Sequence, residues 1–225
     1  MKYQDLLKSN PEIFDNTEAF LTIVTDENII NSWTSNKKDE LQRNGLPQNW
    51  GEIGVVYEDQ YIVILRDLVR LPDGNLGSHI RILHSADLRG GQATVILPII
   101  DNKILLLRQF RHPTRMWHLE FPRGFGKPNT SPEENAKDEL LEEIGAEIFE
   151  LENLGEYHSN TGFIGARVQL YLARLKSIGL AKTSEGIESY DLFDLIDVEA
   201  MIRESEITDG YTIAAFVRAR LKGLL

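Results

Sequence analysis

Apolar residues in the first fifty positions are sparse and helically spaced. Ile29, Ile30, Trp33 and Leu41 make a patchy face that predicts a helix from an Asp26 cap through about Asn44, with Gly45 as its stop. Leu46-Pro47 then breaks the chain. From Glu52 the pattern becomes that of strands. Residues 55–57 and 61–70 flank a short polar turn, Pro72-Asp73-Gly74 is a second turn, and residues 78–85 continue an antiparallel series. After Gly90-Gly91, residues 94–100 and 103–110 read as strands around the hairpin signal Asp101-Asn102. Further strands are expected near 148–157, 167–175 and 190–195, and helices at 197–204 and 210–222. The last of these shows Ile213, Phe216, Val217 and Leu221 on one face. A mixed sheet between helices is the architecture this order implies.

The sharpest local pattern lies at 124–146, GFGKPNTSPEENAKDELLEEIGA. Ser131 suits an N-cap, Pro132 the first helical position, and Glu134 completes a capping box. Ala136, Leu140 and Ile144, with Leu141 beside them, give an apolar stripe, and Gly145 suits the left-handed residue after the end. Glu139, Glu142 and Glu143 fall at i, i+3 and i+4, side by side on one surface. Like charges so close repel, and the C-terminal half of a helix disfavours them further. A solvated acidic face is the plain account of such a cluster. A hard divalent cation with oxygen ligands would offset the repulsion directly.

This segment resembles the Nudix hydrolase signature, with Gly124, Glu139, Leu140, Glu142, Glu143, Gly145 and Ala146 in register. Two positions depart from it. Thr130 stands where the family has its first glutamate, and Asp138 where it has arginine, a pair that in the family braces the loop against the helix. A hydrogen bond from the Thr130 hydroxyl to the Asp138 carboxylate is the expected replacement. KILLLRQFR at Lys103–Arg111 and WHLEFPRG at 117–124 resemble the elements of ADP-ribose and nucleotide-sugar pyrophosphatases. Glu185-Gly186-Ile187 and Ile207-Thr208-Asp209 resemble that subfamily's late acidic loop and last helix. The resemblance covers about residues 52–222.

It implies an α/β fold, the Nudix α/β/α sandwich, in which residues 1–50 are a helical extension, 51–90 a small antiparallel sheet and 91–225 the Nudix domain. It implies a homodimer helped by that small sheet. The extension either packs over an edge of the domain or forms a dimerising or substrate-capping element. For the reaction it implies Mg²⁺, with Mn²⁺ as the alternative, held by Glu139, Glu142, Glu143, Glu185 and the main-chain carbonyl of Arg123. Glu139 and Glu143 with Glu185 as general base would be catalytic, Glu188 being the nearby substitute. Arg111, Arg123, Glu120 and Phe163 would meet a nucleoside diphosphate sugar, and Phe110 and Trp117 are the other aromatics that could stack on a base. Ala166 stands where another acidic position of the family falls. Two alternatives remain: a binding protein that has lost turnover, and a hydrolase of another nucleoside diphosphate derivative.

Composition narrows this picture. A chain of 225 residues with 42% hydrophobic and 26% charged residues is ordinary for a globular protein. There are no cysteines, which excludes disulfides, thiolate metal sites and thiol nucleophiles. A net charge of −11 argues against a nucleic-acid backbone partner, so an anionic substrate must be met by local charge. The five histidines lack metal-ligand spacing and read as packing or surface residues, His118 lying nearest the signature loop. No apolar run approaches membrane-spanning length and no secretory leader is evident, so a cytoplasmic protein is expected.

Overall fold

The computed structural model describes residues 2–225, which fall into two compact units: residues up to Leu88 together with 160–166, and 89–159 together with 167–225.

The first unit holds helix α1 (Tyr3–Ser9), strand β1 (Thr22–Ile23), helix α2 (Glu27–Arg43) and strands β2 (Gly54–Glu58), β3 (Ile62–Arg70) and β4 (Leu76–His84). Asp26 caps α2 by accepting from the backbone of Asn28 and Ile29, as its position before the helical pattern requires. The three longer strands form an antiparallel sheet around β3, and β1 pairs with β3 at its far edge. Leu6, Phe14, Val63, Leu65 and Leu83 make its core. Asp67 is buried there. It accepts from the Tyr3 hydroxyl at 2.5 Å and from Arg81 Nε at 2.6 Å, which ties α1 to the sheet. Helix α1 has no counterpart in the sequence expectation, being two turns long with one buried apolar residue, Leu6.

The second unit contains β5 (Ala93–Ile100), β6 (Lys103–Arg111), β7 (Met116–Glu120), β8 (Arg123–Gly124), α3 (Pro132–Ile144), β9 (Glu147–Tyr157), β10 (Val168–Ser177), β11 (Ile187–Phe193), α4 (Leu195–Arg203) and α5 (Gly210–Leu221). Its mixed sheet runs β11-β6-β5-β10-β9, with β7 added on β6 and β8 on β5. β5 and β10 are parallel, from Val168 opposite Ala93 to Arg174 opposite Ile99. Every residue of β5 is buried, as a strand covered on both faces demands. One face packs on Ala136, Leu140 and Ile144 of α3. The other packs on Val198 of α4 and on Ala215, Phe216 and Ala219 of α5. The result is an α/β/α sandwich.

Two expected faces differ. Leu141 is 63% exposed, because a residue one step from Leu140 is rotated about 100° out of the stripe. Helix α5 buries Thr212, Ala215, Phe216 and Ala219, while Val217 and Leu221 face outward. Three of the four buried residues, which fall at i, i+3, i+4 and i+7, are small and let the helix approach the sheet closely. Leu195, expected to end a strand, instead opens α4. Among the described residues, no helix is long and apolar enough to cross a membrane.

Candidate active site

The capping box forms as the sequence requires. Glu134 N donates to Ser131 Oγ at 3.2 Å, Ser131 N donates to the Glu134 carboxylate at 3.1 Å, and Gly145 ends the helix at φ 59°. α3 is therefore fixed at both ends, and its carboxylates take set positions. Glu139 and Glu143 turn inward and are buried, at 8% and 2% exposure. Glu143 Oε2 has no hydrogen-bond partner. Burial, reinforced by Glu139 and Glu185, pushes the Glu143 carboxyl up to about 8. Burial and Glu142 push Glu139 up to about 7. A Cβ on Gly124 would overlap the Glu139 carboxyl group, so β8 offers bare backbone there.

Three outer carboxylates are covered by lysines. Lys127 Nζ donates to Glu142 Oε1 at 2.8 Å and to Asp138 Oδ2 at 3.0 Å. Lys182 pairs with Glu185 at 2.7 Å. The Glu185 segment, a 3-10 turn at Thr183–Glu185, is bound to the helix end. Lys182 N donates to Glu143 O at 2.8 Å, Gly179 N to Ile144 O at 2.8 Å, and Gln109 Nε2 to Glu185 O at 3.0 Å. Among the described residues, no three His, Cys, Asp or Glu side chains converge as a ready-made metal cage. Glu139 and Glu143 have no ammonium partner, and the others each have one.

Beside them runs a chain of charges from β6 to α5. Glu120 is fully buried and takes Arg111 on one oxygen and Arg123 Nη2 on the other, the latter at 3.2 Å. Arg123 Nη1 donates to Asp209 Oδ1 at 3.1 Å. Asp209 in turn accepts from Thr212 N and Oγ1, whose hydroxyl accepts from Phe121 N. The Arg123 guanidinium is thus held by two carboxylates and lies 5.0 Å over the Tyr211 ring. Arg111 Nε is buried without a partner.

The structure gathers Glu139, Glu143, Glu120, Arg111 and Arg123 in the second unit, with Glu185 electrostatically coupled to both inner carboxylates. Phe163 is half exposed on a segment of the first unit and bonded to Ile82 through its backbone. Phe110 and Trp117 meet edge to face at 5.5 Å, and Arg108 stacks on Trp117 at 4.2 Å. Glu188 pairs with Arg108. The expected Thr130–Asp138 hydrogen bond does not form, because the Thr130 hydroxyl is 3.4 Å from Pro128 O and Asp138 is taken by Lys127. Lys127, Lys182 and Gln109 were missed. A lysine or glutamine carries no signal until the loop's path is known. Asp209 was visible only within the stretch that resembles the subfamily's last helix, and it caps α5.

The NUDIX domain family model matches residues 90–216, more than half of the chain, and the chain belongs to that family. A methanol dehydrogenase activator of Bacillus methanolicus is 27% identical over 175 residues, spanning 76% of this chain and 91% of its own. The ADP-ribose pyrophosphatase of Bacillus subtilis (strain 168) is 25% identical over 174 residues, with the same two coverages. The GDP-mannose pyrophosphatase of Yersinia enterocolitica serotype O:8 is 27% identical over 161 residues, covering 66% of this chain and 83% of its own. A crystal structure of an ADP compounds hydrolase shares the fold with a TM-score of 0.64 at 20% identity, covering 76% of this chain and 91% of that one.

Proposed function

We propose that this Nudix-type pyrophosphohydrolase cleaves the diphosphate of ADP-ribose or a related nucleoside diphosphate sugar, giving a nucleoside monophosphate and a sugar phosphate. The observation that carries the reading is the unpartnered, buried Glu143 Oε2 beside Glu139, under a strand backbone kept bare by Gly124. Two buried carboxylates a turn apart, with raised proton affinity and no cationic partner of their own, suit a divalent cation. Glu139, Glu143 and the Arg123 carbonyl would hold Mg²⁺, or alternatively Mn²⁺, with Glu142 completing the set and Glu185 beside it. Bound there, the ion would supply neutralisation of the diphosphate oxygens and acidification of a water.

The chain's own residues do the rest. Glu120 holds Arg111 and Arg123 side by side, so the Arg111 donors not used by Glu120 can meet a phosphate oxygen. Glu185 lies on the exposed turn opposite α3 and would take the proton of the attacking water. The names of the pyrophosphatase relatives support the substrate class. Exposed Val56, Tyr57 and Ile80 on the first unit's sheet are consistent with a homodimer, which sedimentation would test.

Incubation of pure protein with Mg²⁺ and either ADP-ribose or GDP-mannose should release AMP or GMP. Release of neither would exclude these two substrates, and a panel of nucleoside diphosphate derivatives would then separate a hydrolase of another substrate from a ligand-binding protein.

A further inference from the structure

The signature's loop-to-helix ion pair is missing by sequence, yet the loop is not left unpinned. Residues 125–131 join β8 to α3 and follow directly on Arg123 and Gly124. Thr130, the position that should pin this loop, only reaches Pro128 within the loop itself. Lys127, three residues earlier, crosses to the helix and contacts Asp138 and Glu142, one turn apart, at 3.0 and 2.8 Å. The family arrangement puts the anion on the loop and the cation on the helix. Here the cation is on the loop and the anions on the helix, so Asp138 is the complement of Lys127 and not a lost arginine.

We propose that Lys127 is a positioning residue for the cation site: its double ion pair clamps the 125–131 loop onto α3 and so sets Glu142 and the Arg123 carbonyl against Glu139 and Glu143. The inference rests on the hydrolase reading for its purpose, but its test does not need turnover. Each ion pair alone is exposed and weak. The clamp acts by orienting ligands, and groups that orient metal ligands change metal affinity by about 10–100-fold when removed. Simple electrostatics gives the opposite sign, because deleting a nearby positive charge should tighten cation binding.

The experiment measures Mn²⁺ binding to the free protein by electron paramagnetic resonance, with Mg²⁺-dependent turnover alongside. Lys127→Met should weaken Mn²⁺ binding about tenfold and raise the half-saturating Mg²⁺ similarly, with the melting temperature little changed. Lys127→Arg should bind within about twofold of the wild type. The triple variant Lys127→Met, Thr130→Glu, Asp138→Arg installs the opposite-polarity brace at unchanged net charge and should recover most of the affinity. Lys127→Met with Asp138→Asn restores the net charge without a brace and should not. Unchanged or tighter Mn²⁺ binding by Lys127→Met would overturn the proposal and make Lys127 a competitor of the cation. Equal recovery in the last two variants would overturn it too, reducing the effect to charge. Normal Mn²⁺ behaviour throughout, without release of nucleoside monophosphate, would sink the hydrolase reading and spare the clamp.

Discussion

Gly124 on β8 and Glu139 on α3 approach so closely that only a hydrogen atom fits on the glycine; a methyl group there would overlap the Glu139 carboxyl. The obstacle is a side-chain end that can swing away, so the fold should survive Gly124→Ala while Glu139 is displaced. Turnover should fall by at least about a hundredfold, the usual effect of a misplacement near 1 Å. Gly126 makes a useful contrast. Its Cβ would meet the Gln92 backbone, which cannot yield, so Gly126→Ala should lower the melting temperature clearly. Thermal melts and turnover of the two variants should show this separation. A Gly124→Ala enzyme with wild-type turnover would take Glu139 out of the site.

Glu143 and Glu139 make the metal-free protein sensitive to pH. Burial raises both carboxyls above the usual carboxylate range, to about 8 and about 7. A folded-state value above the unfolded one means the protonated form is favoured by folding. That stability is fully present below the unfolded value near pH 4.5 and is lost as pH rises through about 7 and 8. In chelator, the melting temperature should therefore fall between pH 5 and 8.5. Glu143→Gln keeps the volume and removes the charge, so its profile should be flatter and its metal-free melting temperature higher at pH 8. Turnover should be lost with the charge. A wild-type melting temperature that rises over the same range would contradict the assignment.

Arg111 carries a structural debt that its motif does not reveal. From the sequence alone, Arg111→Ala should weaken diphosphate binding more than stability. The pairing with fully buried Glu120 changes that balance. Removing one partner of a buried pair costs about 3–5 kcal/mol, and Arg123 still covers the second oxygen, so about 3 kcal/mol is expected. For a chain of this size that lowers the melting temperature by roughly 6–12 °C. Arg111→Ala with Glu120→Gln should regain much of the stability, because no uncompensated charge is left, and none of the activity. Calorimetric melts of the single and double variants decide it.

The legible parts of this fold are those where local chemistry and tertiary packing agree. Ser131, Pro132, Glu134 and Gly145 delimit α3 in sequence because caps are local, and Asp26 does the same for α2. Ala136, Leu140 and Ile144 were readable because a three-residue stripe at helical spacing has one way to face a core. The α5 face was half read: Ile213 and Phe216 do pack on the core, but Val217 and Leu221 look more apolar than Ala215 and Ala219, although close packing on a sheet favours the smaller pair. In the site, the carboxylates were visible from spacing. Their partners were not. Lys127 meets Asp138 across eleven residues, Arg123 meets Asp209 across 86, and Gln109 meets Glu185 across 76. Such pairs exist only after the chain is folded.

Glu185 and Glu188 are three residues apart, and the structure separates their roles. Glu188 is on β11 and its carboxylate is taken by Arg108, on which Trp117 stacks. Glu185 is on the exposed turn and pairs with Lys182, an exposed lysine whose hold is weak in solvent. Its main chain is fixed by Gln109, and Lys182 N is bonded to Glu143 O, so the turn keeps its place beside α3 while the Glu185 side chain is free to turn. Glu185→Gln should thus lower kcat by roughly two to four orders of magnitude, the range for losing a positioned base, with KM changed little. Glu188→Gln should stay within about threefold of the wild type. Lys182→Met sharpens the comparison: if the lysine only parks the carboxylate, turnover should persist. A large loss in Glu188→Gln with none in Glu185→Gln would move the base three residues along the chain. No loss in either would leave water activation to the helix carboxylates.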